Sequence, residues 1–390
     1  MTTSVAVFFG GRSVEHEVSV ITAMQAIAAF PQELSAVPVY IDKDGAWHTG
    51  DGLRTLARFR DIGALLRDST RVSMRPEPEH RGVLFDAENR RGLLGGGERA
   101  VARFDVALPL VHGTHGEDGT LQGLFELNDV AYCGCDVAAA AVSMDKRLAK
   151  RAFRGAGLPV LDDVLITRDA WLAESTAVTA AVEAKIAYPL YVKPLSLGSS
   201  IGVSRVESRD ALPEAVDLAL TYDARCIAEP AQDGVVEINC AVLGRTGEAG
   251  ASACEQPKPG GLLSYEDKYL SKGGPKQAGG KGATQRVIPA PIAEQLTSRV
   301  QDLAVRAFEA IGAEGVARVD CLVRTETGEV IVNEINTVPG SLAFYLWEPA
   351  GVPFAGLLTR LVELASMRHA AKARTQHSID TWLLSGRPGA

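Results

Sequence analysis

Four polar residues near the carboxyl end of the chain have types and a spacing that could bind a metal ion and phosphates. Arg318 and Asp320 alternate with apolar residues in ARVDCLV, and Glu334 and Asn336 lie two residues apart in VIVNEIN. Alternate residues of a β-strand project from one face, and only a short polar segment separates the two runs, which is typical of a β-hairpin. We therefore expect two carboxylates and a carboxamide to converge beside a guanidinium.

Two interpretations of this cluster are open. Buried carboxylates without partners are costly, and a hard divalent cation with oxygen ligands, such as Mg²⁺ carrying phosphates, removes that cost. Alternatively, Arg318 and Asp320 form an ordinary ion pair while Glu334 is solvated, because isolated charges usually lie on solvated faces. The spacing alone favours the ion pair, and motifs elsewhere in the chain are needed to choose between the two interpretations.

The overall composition narrows the classes of protein to consider. The 390 residues leave room for two or three domains, and an apolar fraction of 46% with a charged fraction of 23% is that of an ordinary soluble globular protein. A net charge of −8 argues against a nucleic-acid-binding surface. No signal peptide is visible, and no apolar run is long enough to span a bilayer. We therefore expect a cytoplasmic protein with neither a nucleic-acid nor a membrane partner, and with buried, reduced cysteines.

The apolar patterning predicts a chain that mixes α/β and α+β structure. A buried strand over 4–9 ends at a Gly-Gly pair, and a helix over 15–29 and a strand over 36–41 follow, which is the order of a parallel sheet with helical connections. Charged and glycine-rich pieces over 44–104 predict hairpins and surface loops. Further helices are predicted over 119–128, 137–153, 172–185, 291–311 and 354–366.

A glycine- and serine-rich turn, GSSIG at 198–202, is a candidate phosphate-binding loop. Small residues let backbone N–H groups approach phosphate oxygens without a side-chain clash, and Lys193 on the preceding strand could meet a phosphate as a point charge. A flexible hairpin tip beside a solvated lysine explains the same residues equally well. The sequence contains neither the P-loop pattern G-x-x-x-x-G-K-[ST] nor the dinucleotide fingerprint G-x-G-x-x-G.

Several motifs occur in an order that identifies a family. They are FFGGRSVEHEVSV, HGTHGEDGTLQGLFELNDVAYCG, SMDK, YVKPLSLGSSIGVS, YEDKYL, and ARVDCLV followed by VNEINTVPGS. Together they resemble the D-alanine–D-alanine ligases of the ATP-grasp superfamily over residues 4–366. The resemblance implies a three-domain ATP-grasp fold with an N-terminal Rossmann-like domain. We expect that domain at 1–134, a central ATP-grasp domain at 135–228, a C-terminal ATP-grasp domain at 229–370, and a mobile tail at 371–390.

The resemblance also implies roles for individual residues. Those implied to bind the nucleotide are Lys146, Lys193, Ser200, Glu229, Glu237 and Lys268. Those implied in catalysis are Glu15, Ser199, Tyr269, Arg318 and Gly340, while His112 and Ser341 are implied to contact the amino-acid substrates. The implied metal ligands are Asp320, Glu334 and Asn336. Lys268 and Tyr269 belong to a polar, glycine-rich segment over 260–282, whose composition suits a lid.

The implied activity is the ATP-dependent ligation of two D-alanines for peptidoglycan precursors, with two Mg²⁺ or Mn²⁺ ions and a homodimeric assembly. ATP converts the first carboxylate into an acyl phosphate, which the amine of the second amino acid then attacks. Phosphoryl transfer chiefly requires positioning and charge neutralisation, which lysines and metal ions supply. A lid would keep water away from the acyl phosphate.

One departure from the family pattern concerns the second substrate. After Gly340 the family commonly carries serines that receive the carboxylate of the second substrate, whereas this chain has SLAFYLW at 341–347. A related ligase with another acceptor, such as D-serine or the second half of a specialised-metabolite dipeptide, is therefore an alternative. A non-catalytic nucleotide-binding homologue is less favoured, because the implied lysines and metal ligands are all present. A Rossmann-type dehydrogenase is disfavoured because its glycine fingerprint is missing.

Overall fold

The computed structural model describes residues 2–88, 99–257 and 286–379. Within these ranges the strands form three sheets that follow one another along the chain. The predicted lid segment 260–282, with Lys268 and Tyr269, and the part of the predicted tail beyond residue 379 lie outside the described residues.

The first sheet has eight strands in the order β6-β5-β4-β3-β2-β1-β7-β8. They are β1 (Thr3–Gly10), β2 (Leu34–Ile41), β3 (Trp47–Thr49), β4 (Thr70–Met74), β5 (Val83–Asp86), β6 (Ala100–Arg103), β7 (Val106–Pro109) and β8 (Ala131–Tyr132). Strand β1 is parallel to β2 and β7, whereas β3 to β6 pair antiparallel. The predicted parallel opening and the hairpins predicted within 44–104 are thus confirmed.

The turn after β1 requires glycine. Gly10 has φ +91°, and a Cβ at this position would lie 2.2 Å from the carbonyl oxygen of Ile41, which no side chain can accommodate. Helix α1 (His16–Ala28) begins shortly after the turn. Because the carboxyl ends of parallel strands meet at one edge of a sheet, the loops after β1 and β7 bring Glu15 and His112 to the same edge.

The second sheet is antiparallel, with the order β11-β10-β12-β9. Its elements are β9 (Val164–Thr167), α6 (Arg168–Glu183), β10 (Leu190–Pro194), β11 (Ser204–Val206), α7 (Leu212–Tyr222) and β12 (Arg225–Pro230). Trp171 of α6 and Val216 of α7 bury their side chains in one core with Ile166 and Leu190 of the sheet. The predicted hairpin formed by β10 and β11 is confirmed, and GSSIG lies in its connection.

The third sheet has the order β15-β14-β13-β16-β17 and pairs antiparallel. Its strands are β13 (Val236–Gly244), β14 (Gly250–Pro257), β15 (Arg286–Val287), β16 (Gly315–Arg324) and β17 (Glu329–Asn336), and α8 (Glu294–Ala310) covers it. The predicted hairpin of β16 and β17 is confirmed. Its register sets Arg318 opposite Asn336 and Asp320 opposite Glu334.

The remaining helices are α2 (Ile62–Arg67), α3 (Thr120–Leu127), α4 (Val137–Met144), α5 (Lys146–Gly155), α9 (Phe344–Trp347) and α10 (Phe354–Lys372). Short 3₁₀ turns occupy Asp51–Arg54, Leu56–Arg60, Pro78–His80, Arg209–Ala211, Gly340–Ala343 and Glu348–Ala350. The prediction that the last helix ends at residue 366 is wrong, because α10 continues to Lys372. Leu357 and Leu361 of α10 pack into the same core as Val5 and Leu108 of the first sheet.

The helical patterns predicted over 137–153 form two helices, α4 and α5. The helix is interrupted at Asp145, whose backbone is extended with φ −86° and ψ 104°. The Asp145 side chain accepts hydrogen bonds from the N–H groups of Arg147 and Leu148 at 3.0 and 2.9 Å, and this capping competes with a continuous helix. As a result, Lys146 is the first residue of α5.

Two further predictions concern membrane-spanning helices and the state of the cysteines. No single helix among them is long and apolar enough to cross a membrane, although the pair Gly340–Ala350 and Phe354–Lys372, bent by 113°, passes on length and composition together. All six cysteines are buried and free, as expected for small apolar core residues.

Candidate active site

A cavity lies where elements of the three sheets meet. Its wall includes the start of α1, the loop after β7, the GSSIG loop, strands β13, β16 and β17, and the turn after β17. The sequence-predicted residues that line it are Glu15, His112, Ser199, Glu237, Arg318, Glu334, Asn336, Gly340 and Ser341. Lys146 lines a smaller adjoining cavity together with Glu334 and Asn336. The fold thus brings together candidate residues from both ends of the sequence.

The Arg318 guanidinium binds the Asp320 carboxylate through two hydrogen bonds. Nε donates to Oδ1 and Nη2 donates to Oδ2, both at 2.6 Å, and Asn336 Nδ2 donates to Oδ2 of the same carboxylate at 3.1 Å. Burial by itself lowers the pKa of Arg318, but the charge of Asp320 raises that pKa well above its ordinary value. The ion pair that was one interpretation of the sequence is therefore present, and Asn336 joins it in a convergent cluster.

The donor set beside this pair suits a hard divalent cation. Asp320, Glu334 and Asn336 offer carboxylate and carboxamide oxygens, the ligand type that Mg²⁺ and Mn²⁺ prefer. A carboxylate has about four lone-pair sites, so Asp320 can bind a cation and keep its hydrogen bonds from Arg318. Glu334 lies opposite Asp320 in the hairpin and lines both cavities.

Glu15 and Ser199 connect the first sheet to the GSSIG loop. Ser199 Oγ donates a hydrogen bond to Glu15 Oε1. A Cβ at Gly198 would lie 3.2 Å from Glu15 Oε2, so a side chain there would crowd the carboxylate. Ser199 and Ser200 both have left-handed backbone conformations, with φ +54° and +57°. Tyr269, which the family resemblance implies in a hydrogen-bonded group with these two residues, lies outside the described residues.

His112 is buried next to α1. Its Nε2 lies 3.0 Å from Thr22 Oγ1. Burial lowers the pKa of His112 to about 4, and the positive charge of Arg318 adds to that effect. At neutral pH the imidazole is therefore uncharged and acts as a hydrogen-bonding group.

Two ammonium groups enclose the carboxylate of Glu229. Lys193 Nζ lies 2.7 Å from Oε2, and Lys150 Nζ contacts Oε1. Burial raises the pKa of Glu229, but the two lysines outweigh burial and hold it at about 2. Burial likewise lowers the pKa of Lys193, yet Glu229 gives it a net rise. Lys193 and Glu229, both implied to bind the nucleotide, are therefore direct partners.

Lys146 lies near the same group. Its Nζ donates to the carbonyl oxygen of Leu197, beside the GSSIG loop, at 2.5 Å. Burial lowers the pKa of Lys146, Glu334 opposes this effect, and repulsion from Lys193 adds to it. Two lysines close enough to repel each other form a favourable place for a polyanionic ligand. Glu237, implied to bind the nucleotide, lies opposite Leu322 near the start of β13.

The turn after β17 has an unusual backbone. Ser341, Leu342 and Ala343 have φ values of +55°, +53° and +51°, a region that non-glycine residues rarely occupy. The Ser341 N–H donates to Thr22 Oγ1 at 3.1 Å, and its Oγ donates to Gln25 Oε1 at 2.5 Å. Helix α1 thereby holds the turn that follows Gly340. Strained backbone of this kind is concentrated at functional sites.

The sequence patterns did not single out Glu117, which joins two distant parts of the cavity wall. Its Oε2 accepts a hydrogen bond from Gly113 N–H at 2.8 Å, and its Oε1 accepts one from Val338 N–H at 3.1 Å. Burial raises the pKa of Glu117, and the neighbouring Glu15 raises it further. The position of Glu117 within HGTHGEDG was the signal that could have identified it.

Other residues at the site also escaped sequence-based prediction. They are Lys150, Asn239, Glu255, Arg286 and Tyr345. Lys150 follows Lys146 by four residues, and that helical spacing on one face was an available signal. No comparable sequence signal marks the other four residues.

Comparison of the sequence with known protein families gives two matches. The family model described as "D-ala D-ala ligase N-terminus" matches residues 4–135, and the one described as "D-ala D-ala ligase C-terminus" matches residues 152–363. The chain belongs to the D-alanine–D-alanine ligase family. The resemblance inferred from the ordered motifs is confirmed.

Individual members of the family are similar over almost the whole chain. The D-alanine–D-alanine ligase of Shouchella clausii (strain KSM-K16) is 38% identical over 383 residues, covering 96% of this chain and 98% of that protein. D-alanine–D-alanine ligase A of Escherichia coli (strain K12) is 37% identical over 373 residues, covering 94% of this chain and 96% of that protein.

Solved structures of the family share the fold. The D-alanine–D-alanine ligase from Coxiella burnetii has a TM-score of 0.75 and 30% identity, covering 96% of each chain. The VanG D-Ala:D-Ser ligase from Enterococcus faecalis has a TM-score of 0.75 and 29% identity, covering 94% of this chain and 100% of that one. The predicted fold class, α/β and α+β in an ATP-grasp arrangement, is thus confirmed.

Proposed function

We propose that this chain is an ATP-dependent ligase that joins two D-alanines to D-alanyl-D-alanine for peptidoglycan precursors and releases ADP and phosphate. One observation carries the proposal. The Arg318–Asp320 pair, with Glu334 and Asn336, shares a cavity with the hydrogen-bonded pair Glu15 and Ser199. This cavity belongs to a chain whose relatives at 37–38% identity are D-alanine–D-alanine ligases.

In the first step, the carboxylate of the donor D-alanine forms a bond to the γ-phosphorus of ATP, and ADP leaves. Glu15 and Ser199 position the donor, with the neutral His112 beside it. Lys146 and Lys193 bind the phosphates of ATP, since such transfers depend on positioning and charge neutralisation. Ser200, Glu229 and Glu237 complete the proposed nucleotide site.

The oxygen donors of Asp320, Glu334 and Asn336 would hold two Mg²⁺ or Mn²⁺ ions. When bound, such ions neutralise phosphate charge and orient the transferred group. The Arg318–Asp320 hydrogen bonds fix one of these ligands in place, so the carboxylate needs little reorganisation to accept a cation.

In the second step, the amine of the acceptor attacks the acyl carbon and a C–N bond forms. The bond from the acyl carbon to the phosphate oxygen breaks, and phosphate leaves with the proton that the nitrogen loses. Negative charge grows on the acyl oxygen during this attack. Arg318 and the backbone N–H of Gly340 would stabilise that oxygen, and preorganised donors of this kind contribute about 3–4 kcal/mol each. Asp320 holds the Arg318 guanidinium in position before the reaction begins.

The proposal includes a cytoplasmic location, because peptidoglycan precursors and ATP are cytoplasmic, and a homodimeric assembly, which the family resemblance implies. Light scattering on the purified protein tests the assembly, and a monomeric mass at micromolar concentration contradicts it.

A phosphate-release assay tests the proposed reaction. We expect D-alanine alone to stimulate phosphate release from ATP in the presence of Mg²⁺, whereas L-alanine should not. D-serine belongs in the same panel, because it is the acceptor in the name of the VanG relative. Absence of stimulation by D-alanine would overturn the proposal.

A further inference from the structure

The cavity is rich in carboxylates, which limits where a carboxylate ligand can bind. Among the described residues, five glutamates line it: Glu15, Glu117, Glu237, Glu255 and Glu334. Among the described residues that line the cavity, guanidinium groups come from Arg286 and Arg318, and the third basic group, His112, is neutral at pH 7 because burial lowers its pKa. Within the described part of the cavity, Arg286 and Arg318 are therefore the cationic groups available to an amino-acid carboxylate.

The guanidinium of Arg318 already has a binding partner and a proposed role. Its Nε and Nη2 atoms bind Asp320, and the proposed mechanism assigns its remaining donor capacity to the reacting acyl oxygen. The carboxylate of the acceptor amino acid does not react, so it binds at a place separate from that oxygen. Arg286 is the other guanidinium that the described part of the cavity offers.

Arg286 is held in a way that suits binding of an anion. Its Cζ lies 3.8 Å from the centroid of the Tyr345 ring, and stacking on an aromatic ring fixes the guanidinium plane while its N–H edge stays available for bonding. Its Nη1 lies 3.7 Å from Glu255 Oε2, and its side chain is 39% exposed. This ion pair is looser than the one between Arg318 and Asp320.

Tyr345 is itself anchored. Its hydroxyl donates a hydrogen bond to Glu255 Oε1 at 3.2 Å, and Glu255 also accepts one from Asn239 Nδ2 at 3.3 Å. Burial raises the pKa of Tyr345 to about 12, so the phenol stays a neutral donor. Tyr345 lies in α9, directly after the Gly340–Ala343 turn, where this chain carries large apolar residues in place of the serines common in the family.

We propose that Arg286, held by Tyr345 and Glu255, binds the carboxylate of the acceptor amino acid and so determines which acceptors the enzyme accepts. This inference rests on the proposed function, which supplies an amino acid as the acceptor. In this assignment the guanidinium of Arg286, stacked on Tyr345, takes the place of the serine hydroxyls that bind the carboxylate in relatives. The ring of Tyr345 also limits the space for an acceptor side chain.

Acceptors with and without a carboxylate test this assignment. With ATP, Mg²⁺ and D-alanine as donor, the acceptors are D-alanine, D-alaninamide and hydroxylamine, and the last two have no carboxylate. We expect Arg286→Gln to raise the KM for acceptor D-alanine by roughly tenfold to a hundredfold, as expected for a lost hydrogen bond to a charged group. Hydroxamate formation and the KM for ATP should not change.

Matched variants separate binding from structural damage. Arg299→Gln removes an exposed arginine of α8 that pairs with Asp302 and should leave all three acceptors unaffected. Tyr345→Ala removes the stack and should reproduce the acceptor-specific defect, whereas Arg286→Lys keeps the charge and should be intermediate. If Arg286→Gln does not fold, Arg286→Lys and Tyr345→Ala still test the assignment.

The outcomes are distinct. An unchanged KM for acceptor D-alanine, or a parallel loss with all three acceptors, overturns the role of Arg286 while the wild-type enzyme still makes the dipeptide. Wild-type protein that forms neither hydroxamate nor dipeptide from D-alanine overturns the proposed function itself.

Discussion

The guanidinium of Arg318 and the carboxylate of Asp320 meet through two parallel hydrogen bonds, each 2.6 Å long. Bidentate pairs of this kind fix both partners in orientation as well as in distance. One partner is a proposed metal ligand and the other a proposed oxyanion donor. The pair therefore couples the phosphate end of the cavity to the place where the peptide bond would form.

Replacing Asp320 by asparagine tests this coupling. Asp320→Asn nearly preserves the side-chain shape but removes the charge that binds Arg318, so kcat should fall at least about a hundredfold. The uncompensated guanidinium should also lower the free energy of unfolding by about 3 kcal/mol. Steady-state kinetics and urea unfolding at pH 7 measure the two effects.

The same hairpin offers a matched control. Glu329 pairs with Arg324 at 3.4 Å, and its side chain is 53% exposed, so Glu329→Gln should change neither turnover nor stability appreciably. If Asp320→Asn retains wild-type turnover, Asp320 is neither a metal ligand nor the orienting partner of Arg318.

The buried group formed by Glu229, Lys150 and Lys193 predicts a specific pH dependence. The pKa of Glu229 is about 2 in the folded protein against 4.5 for the ordinary group. Its contribution to stability is therefore present above pH 4.5 and lost as pH falls toward 2, and it amounts to about 3 kcal/mol. Glu229→Gln should be less stable than the wild type at pH 7, and the difference should shrink below pH 4.5.

Urea unfolding at several pH values between 7 and 3 measures this difference. Glu363→Gln is the control, because Glu363 pairs with Arg360 on the surface, and the variant should follow the wild type throughout. A difference between wild type and Glu229→Gln that stays constant with pH contradicts the lowered pKa.

His112 predicts a second pH effect in a different range. Burial lowers its pKa to about 4 from 6.5, so the unfolded chain binds a proton in this interval that the folded protein does not. The corresponding stability is present above pH 6.5 and is lost as pH falls toward 4. Relative to His112→Gln, which carries no titratable ring, the wild type should lose about 3 kcal/mol over this interval.

An NMR titration of the imidazole Cε1–H signals checks the same point directly. The signal absent from the His112→Gln spectrum should remain in its neutral position at pH 6. A midpoint near 6.5 for that signal would show that His112 is hydrated, and the neutral hydrogen-bonding role would be lost.

The local spacing of residues in the sequence predicted part of the site. The alternation in ARVDCLV and VIVNEIN predicted the hairpin that sets Asp320 opposite Glu334, because side chains of a strand alternate between its two faces. Family motifs supplied residues such as Glu15 and Ser199, which lie 184 positions apart yet share a hydrogen bond. Spacing alone could not have paired them.

Other features depend on tertiary contacts that local patterns do not encode. Glu117 binds the N–H of Val338, 221 positions away, and an acid in a glycine-rich loop gives no sign of such a partner. The stacking of Arg286 on Tyr345 likewise arises only when β15 and α9 come together.

The most direct test of the proposed function is to identify the product formed from a single amino acid. Purified protein is incubated with ATP, Mg²⁺ and D-alanine alone, and product and phosphate are quantified by mass spectrometry and a colorimetric assay. The proposal predicts D-alanyl-D-alanine and phosphate in a one-to-one ratio. ATP turnover without the dipeptide, or a dipeptide that appears only when a second amino acid is added, would contradict it.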